Sequence, residues 1–147
     1  MFRSSRIFIF LVAIVANGLV YADFSPTFSV PVGRSAFAFA LSDDETQAVV
    51  VNLFSRRADD GVEGANVNFV DLVSGQVTDQ IQVGTRLTSV AIAGQTVVLV
   101  NQDEDAVRLV DLDTKQEITR VFSGSRPATA LRLDQNTVAI ANGTSGD

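Results

Sequence analysis

Two stretches of this chain lie over each other without a gap, 40 residues apart. VNFVDLVSGQVTDQIQVG (67–84) matches VRLVDLDTKQEITRVFSG (107–124) at Val67 and Val107, Val70 and Val110, Asp71 and Asp111, Leu72 and Leu112, Gln76 and Gln116, and Gly84 and Gly124. Upstream, VGRSAFAFALSDDETQAVVVN begins at Val32, VGTRLTSVAIAGQTVVLVN at Val83 and SGSRPATALRLDQNTVAIAN at Ser123. Each carries a glycine, an arginine soon after it, an alternating apolar segment, a polar turn, and an apolar run closed by asparagine. A unit this short cannot bury its own apolar face, so copies must stack on one another.

Each unit reads as four short strands. The first alternates: Phe37, Phe39 and Leu41, then Val90 and Ile92, then Leu131 and Leu133. The second is the continuous run VVVN, VLVN or AIAN, apolar on both faces, as a strand must be when another sheet packs on each side. The third is ANVNFVDL or AVRLVDL. The fourth, QVTDQIQV or QEITRVFS, alternates Val77, Ile81 and Val83 with Thr78, Gln80 and Gln82, which suits a half-exposed outer strand. LSDDETQ, IAGQT and LDQNT supply hairpin turn residues between first and second strands. The turn DLVSGQ has Gly75 for a positive φ, and Lys115 at the equivalent place predicts a different turn type in the next unit. The closing asparagines Asn52, Asn101 and Asn142 are expected to act as stop signals, since asparagine tolerates the left-handed conformation and bonds its own backbone. The fold expected is all-β, made of β-propeller blades of four antiparallel strands, about two and a half of them.

VVVN, VLVN and AIAN stand where the YVTN β-propeller repeats carry their name motif, and VDLVSGQ, VDLDTKQ and QVG resemble that family's V-x-D-T-x-T-G-K segment and closing P-V-G. The resemblance covers about residues 33–147. The tyrosine and threonine of the name motif are missing, and IAGQT replaces the usual S-P-D-G turn. The resemblance implies a propeller fold. Its relatives include lactonase-like hydrolases and redox propellers that carry a haem or pair with a quinone enzyme. WD-type blades are disfavoured by the absence of Trp and of Gly-His.

The boundaries read as a signal peptide over 1–22 and a partial propeller over 23–147, with a closing outer strand in 23–33, blade 1 over 34–83, blade 2 over 84–123 and half a blade over 124–147. FSPTFSVPVG (24–33) reads as a fourth strand without a first three, and AIANGTSGD stops where third and fourth strands should follow. Two and a half blades leave a bare sheet edge and an uncovered apolar face. The expectation is a fragment of a larger propeller, with the remaining blades absent from this chain; assembly from several chains and an open array are the alternatives.

At the N-terminus, MFRSSR bears Arg3 and Arg6, IFIFLVAIVA follows without charge, and Val20 and Ala22 take the −3 and −1 places of a cleavage site. The apolar core is short against the ~20 residues of a spanning helix. Export is expected, to a periplasm, cell surface or medium, with no membrane insertion after cleavage. The net charge of −6, the single lysine and the scattered arginines argue against nucleic acid as partner. Without Cys or His, the chain has no thiolate or imidazole for zinc, copper, haem or iron–sulfur sites, and no Ser-His-Asp or Cys-His nucleophile system.

Blade 1 is longer than blade 2 by SRRADDGVEG, between its second and third strands. Insertions of this kind map to a face where partners bind, and Arg56, Arg57, Asp59, Asp60 and Glu63 are the polar groups offered. In blade 2 the equivalent loop offers Asp103, Glu104 and Asp105 as oxygen ligands for Ca2+, against the alternative of a plain acidic turn. Arg34, Arg86 and Arg126 recur after the unit-opening glycine, either to bridge blades or to meet an anion at the central channel. Asn142-Gly-Thr is a formal glycosylation acceptor. No convergent catalytic set is present, so no catalytic residue and no cofactor beyond that calcium is expected. The function expected is a non-catalytic interaction or ligand-binding scaffold for a protein or small molecule; a lactonase-like hydrolase and a redox subunit are the alternatives.

Overall fold

The computed structural model describes residues 6–10, 26–33, 35–53, 55–56, 63–64 and 66–143. Strands account for nearly all of its regular structure. They are β1 (Arg6–Phe10), β2 (Pro26–Pro31), β3 (Ala36–Leu41), β4 (Gln47–Asn52), β5 (Ser55–Arg56), β6 (Glu63–Gly64), β7 (Asn66–Asp71), β8 (Gln76–Gln82), β9 (Leu87–Ala93), β10 (Thr96–Asn101), β11 (Ala106–Asp111), β12 (Glu117–Phe122), β13 (Pro127–Arg132) and β14 (Val138–Asn142). One 3-10 turn, Gln102–Glu104, sits between β10 and β11. Among the described residues no helix is long and apolar enough to cross a membrane.

Two four-stranded antiparallel sheets follow each other in the orders β3-β4-β7-β8 and β9-β10-β11-β12, and β13-β14 begins a third. Each sheet runs outward from its first strand to its fourth, which is the blade expected from the repeat. The registers repeat too: Ala40 faces Val49 and Ala91 faces Val98 between first and second strands. Leu131 faces Ala139 at the same place in the half blade. Arg6–Phe10, inside the expected leader, pairs antiparallel with Pro26–Pro31, with Ile7 opposite Val30. The expected lone outer strand is therefore one of a pair.

The second strands of the two complete blades, β4 and β10, are buried on both faces, as their composition requires, whereas β14 of the half blade leaves Ala139 and Ala141 exposed. Val49 and Val51 point toward blade 2, where they join Val67, Phe69, Leu87, Val90, Ile92, Val97, Leu99 and Val110 in the largest core. Ala48 and Val50 point the other way, onto Val30 and Val32. In β10 the same alternation sends Val97 and Leu99 toward blade 1 and Val98 and Val100 toward Ala130, Val138 and Ile140 of the half blade. Each fully buried Val, Leu, Ile or Phe side chain among these contributes roughly 1.5–3 kcal/mol by leaving water, so the inter-blade faces dominate the stability. The fourth strand β12 is exposed along its length, as an outer strand should be.

One turn departs from expectation. Lys115 does not change the turn type: it takes φ 62 where Gly75 takes φ 68. Both turns close by the same bonds, Gly75 N–H to Asp71 O at 2.9 Å and Lys115 N–H to Asp111 O at 3.0 Å. Asp71 Oδ1 accepts from Ser74 N–H at 2.6 Å and Asp111 Oδ1 from Thr114 N–H at 2.7 Å. The left-handed strain at Lys115 is offset by contacts with blade 1: its ammonium sits 4.4 Å from the centre of the Phe69 ring and 3.3 Å from Gln47 Oε1.

The closing asparagines are not stop signals either. Asn101 is extended, at φ −108 and ψ 97, and it is fully buried. Its side chain lies over the linker that opens its own blade. A Cβ on Gly84 would stand 3.0 Å from Asn101 Cγ, and one on Gly124 would stand 2.6 Å from Asn142 Nδ2. In blade 1, Asn52 Nδ2 donates to Val32 O at 3.0 Å, beside Gly33. The asparagine and the glycine of each unit meet at the incoming linker, which the side chain clips: at Gly84 and Gly124 the asparagine side chain fills the space a Cβ would need, while at Gly33 a Cβ would stand 3.5 Å from Asn52 Nδ2 and it is the φ of +83 that favours glycine.

Candidate functional site

The clips define one end of the blades. There the linkers run beside the connections from second to third strand. Leu53 N–H donates to Ser35 O at 3.0 Å, Gln102 N–H to Arg86 O at 3.0 Å, and Ser123 N–H to Asp105 O at 3.1 Å. Both expected site segments fall on these connections.

In blade 1 the connection rises as a two-stranded ribbon. Ser55 stands opposite Gly64 and Arg56 opposite Glu63. Arg57, Asp59 and Asp60 lie outside the described residues, as does Arg34. Below the ribbon is a buried amide network. Asn68 Nδ2 donates to Asn52 Oδ1 at 2.7 Å and to Val32 O at 3.2 Å, and Gln80 Nε2 donates to Asn68 Oδ1 at 2.8 Å.

Blade 2 places charges at the equivalent positions. Asn68 and Gln80 face each other across β7 and β8, and Arg108 and Arg120, each 40 residues on, face each other across β11 and β12. Two cations in direct opposition need an anion between them, and Glu104 provides it. Its Oε2 accepts from Arg108 Nη2 at 2.6 Å, from Arg108 Nε at 3.1 Å and from Arg120 Nη1 at 3.1 Å. Arg108 Nη1 reaches both oxygens of Glu117, at 2.8 and 2.9 Å. Partial burial works to raise the Glu104 carboxyl, but the Arg108 and Arg120 guanidinium groups outweigh it and hold it below its ordinary value of 4.5. Glu104 is a fixed anion, not a proton donor at neutral pH.

The three acidic residues of this loop have separate partners. Glu104 serves the arginines, Asp103 stands 3.8 Å from Arg86 Nη1, and Asp105 Oδ1 accepts the Arg126 backbone N–H at 2.6 Å. Among the described residues no group of three or more acidic side chains comes together as a metal ion would require. Asp105 binds blade 2 to the linker of the half blade, so a blade-bridging contact at Arg126 is made through its backbone, at φ 51. Arg108, Arg120 and Glu117 were not singled out in the sequence; the one cue was that 68/108 and 80/120 are matched repeat positions. Asp71 and Asp111 are turn formers. Backbone N–H bonds from Ser74 and Thr114 hold both carboxyls below 3.8, as an ordinary turn does.

No family model matches the sequence, and no curated protein matches it. Solved structures match in fold. A chain of Kuenenia stuttgartiensis hydrazine synthase aligns over 75% of this chain and 30% of its own, with a TM-score of 0.61 and 24% identity. The Myceliophteria thermophila Cps50 (Swd1) β-propeller domain aligns over 74% and 32%, at 0.59 and 14%. Apo AztD from Citrobacter koseri aligns over 69% and 27%, at 0.58 and 11%. With the strand order already given, these likenesses decide the architecture. The chain is a run of β-propeller blades. It spans about a third of the length of these solved chains. At such identities the likeness carries the propeller fold and no activity. Propellers with WD40 repeats are among the matches.

Proposed function

We propose that these blades form part of a non-catalytic propeller scaffold that takes its partner on the β5–β6 ribbon of blade 1. The observation that carries the reading is the ribbon itself. It is the longest insertion of blade 1 relative to blade 2, and it leaves the clipped end of the blades with Arg56 and Glu63 in register. The matching connection of blade 2 is short, and its carboxylates are taken up by Arg86, Arg108, Arg120 and the Arg126 backbone. Contact residues on a ribbon projecting from a rigid sheet fit the way repeat proteins place specificity. The asparagine-closed second strands and V-D-L segments support reading the repeat as YVTN-type.

The test replaces residues 55–64 with the short connection of blade 2, leaving the fold intact by circular dichroism. A photo-crosslinker placed at residue 59 of the unaltered chain should capture a partner that the shortened chain no longer retains. Equal retention by both chains overturns the ribbon as the contact.

A further inference from the structure

The three asparagine clips differ in the residue that follows the asparagine. Asn52 precedes Leu53 and Asn101 precedes Gln102, but Asn142 precedes Gly143. In all three the following backbone N–H donates to the linker: Leu53 to Ser35 O at 3.0 Å, Gln102 to Arg86 O at 3.0 Å and Gly143 to Arg126 O at 2.8 Å. Residues with side chains therefore build the same bond, and what glycine changes is the chemistry of the pair. The backbone nitrogen after an asparagine can attack that asparagine's Cγ. A side chain on the attacking residue crowds the approach, whereas glycine, with no Cβ and a wide range of backbone angles, leaves it open. Asn17–Gly18 is the chain's other Asn-Gly pair, and it lies outside the described residues.

The fold holds Asn142 away from this reaction. Asn142 ends β14, and Pro127 stands opposite it across the hairpin. A strand keeps the chain extended there, whereas ring closure needs the backbone turned so that the Gly143 nitrogen meets Cγ. That nitrogen is tied to Arg126 O through its own N–H. The amide end of Asn142 is packed on the linker: Nδ2 and Cγ lie 2.6 and 3.2 Å from where a Cβ on Gly124 would stand. Asn142 Oδ1 is buried and has no hydrogen-bond partner among the described residues. The clip and the backbone bond thus immobilise both reacting atoms, and only a local opening frees them.

We propose that Asn142–Gly143 is a self-modification site gated by its own clip: opening lets the pair cyclise, and the product cannot close the clip again. The Gly143 nitrogen loses its proton to base and forms a bond to Asn142 Cγ. The Cγ–Nδ2 bond breaks, and Nδ2 takes a proton from water and leaves as ammonia. Water then opens the cyclic imide at either carbonyl. One product is aspartate; in the other, isoaspartate, the main chain runs through Cγ. Overall one water enters and one ammonia departs, and nothing is oxidised or reduced. Both products put a carboxylate over Gly124, where the amide oxygen already lacks a donor, and a buried charge without a partner is costly. The isoaspartyl product also lengthens the backbone ahead of the N–H that bonds Arg126 O. Either way the linker between β12 and β13 loses its clip.

The test incubates the purified 147-residue chain in mildly alkaline buffer, native and in urea, and follows each asparagine by peptide mass and isoaspartate detection. In urea Asn142 should convert faster than Asn52 and Asn101. In the native chain it should convert at least about tenfold more slowly than in urea, because only the open fraction reacts. Equal rates at Asn142 in the two conditions, or faster conversion at Asn52 or Asn101 in urea, overturns the proposal. Gly143→Gln copies the Asn101–Gln102 pair. After equal ageing the unaltered chain should have a lower urea midpoint than when fresh, and the Gly143→Gln chain an unchanged one. Asn142→Asp should show the lowered midpoint without ageing. A midpoint equal to that of the fresh unaltered chain would mean that the product still closes the clip, and the proposal fails.

Discussion

The side chain of Asn101 occupies the space that a Cβ on Gly84 would take, with its Cγ 3.0 Å from that point, although the two residues are 17 apart in sequence. Gly84 also holds φ +69, a conformation that strains any residue with a Cβ. Gly84→Ala therefore meets strain and overlap together, and should destabilise by about 2–4 kcal/mol. Urea unfolding at a fixed protein concentration measures it. Gly84→Ala with Asn101→Ala should cost less than the sum of the single changes, by roughly 1–2 kcal/mol, because the second change opens the space the first one fills. Strict additivity would show that the clip does not exist in solution.

Lys115 tests how blade 2 grips blade 1. It holds φ 62 and extends its ammonium over Phe69, toward Gln47 and onto its own turn at Leu112 O. Lys115→Ala keeps the strain and loses those contacts, at a cost of about 1–2 kcal/mol. Lys115→Gly loses the same contacts but relieves strain worth about 1 kcal/mol, so it should fall close to the unaltered chain. The order of midpoints, alanine below glycine, is the diagnostic result. The reverse order would place the lysine in an unstrained turn.

The buried amides of blade 1 make a third case. Asn68 joins Asn52, Val32 and Gln80 in one network, with both Asn52 and Asn68 99% removed from solvent. Asn68→Ala removes the bonds to Asn52 Oδ1 and Val32 O and the one from Gln80, for about 2–3 kcal/mol. Gln80→Ala, at the exposed rim of the network, should cost under about 1 kcal/mol. Equal effects would show that water reaches the network freely.

The blade was legible because its signals are local or strictly periodic. Val97 to Val100 form an unbroken apolar run, and such a run can lie only between two sheets; Val77 and Ile81 alternate with polar residues, and such a strand can lie only at a rim. The asparagine clip was visible as a recurring residue, but its purpose depends on a linker 17 residues away in blade 2. Lys115 looked incompatible with Gly75's turn because the contacts that hold it come from the preceding blade. Arg108 and Arg120 are 12 apart and become neighbours only once the register of β11 and β12 is set. Glu104 stands in the sequence as one of three neighbouring carboxylates, and the arginines that meet it are brought there only by the sheet.

Glu104 gives the pH dependence of the fold. Its carboxyl lies below 4.5 in the folded chain because Arg108 and Arg120 outweigh the effect of burial. A depressed folded value means that the stabilisation is complete above the unfolded value and disappears as pH falls through the folded one. At pH 7, Glu104→Gln should therefore be less stable than the unaltered chain by about 1–3 kcal/mol, since it leaves Arg108 and Arg120 in mutual repulsion. Below about pH 4.5 the difference should narrow as Glu104 takes up its proton in the unaltered chain. Asp71, Asp111 and Asp134 are depressed as well, so both chains lose stability on acidification, and the difference between them isolates Glu104. Salt provides a second axis, because these groups are only partly buried: at 1 M the screening length falls to about 3 Å and the gap at pH 7 should shrink. A gap that stays constant from pH 7 to pH 3 would show that Glu104 acts through packing and not through its charge.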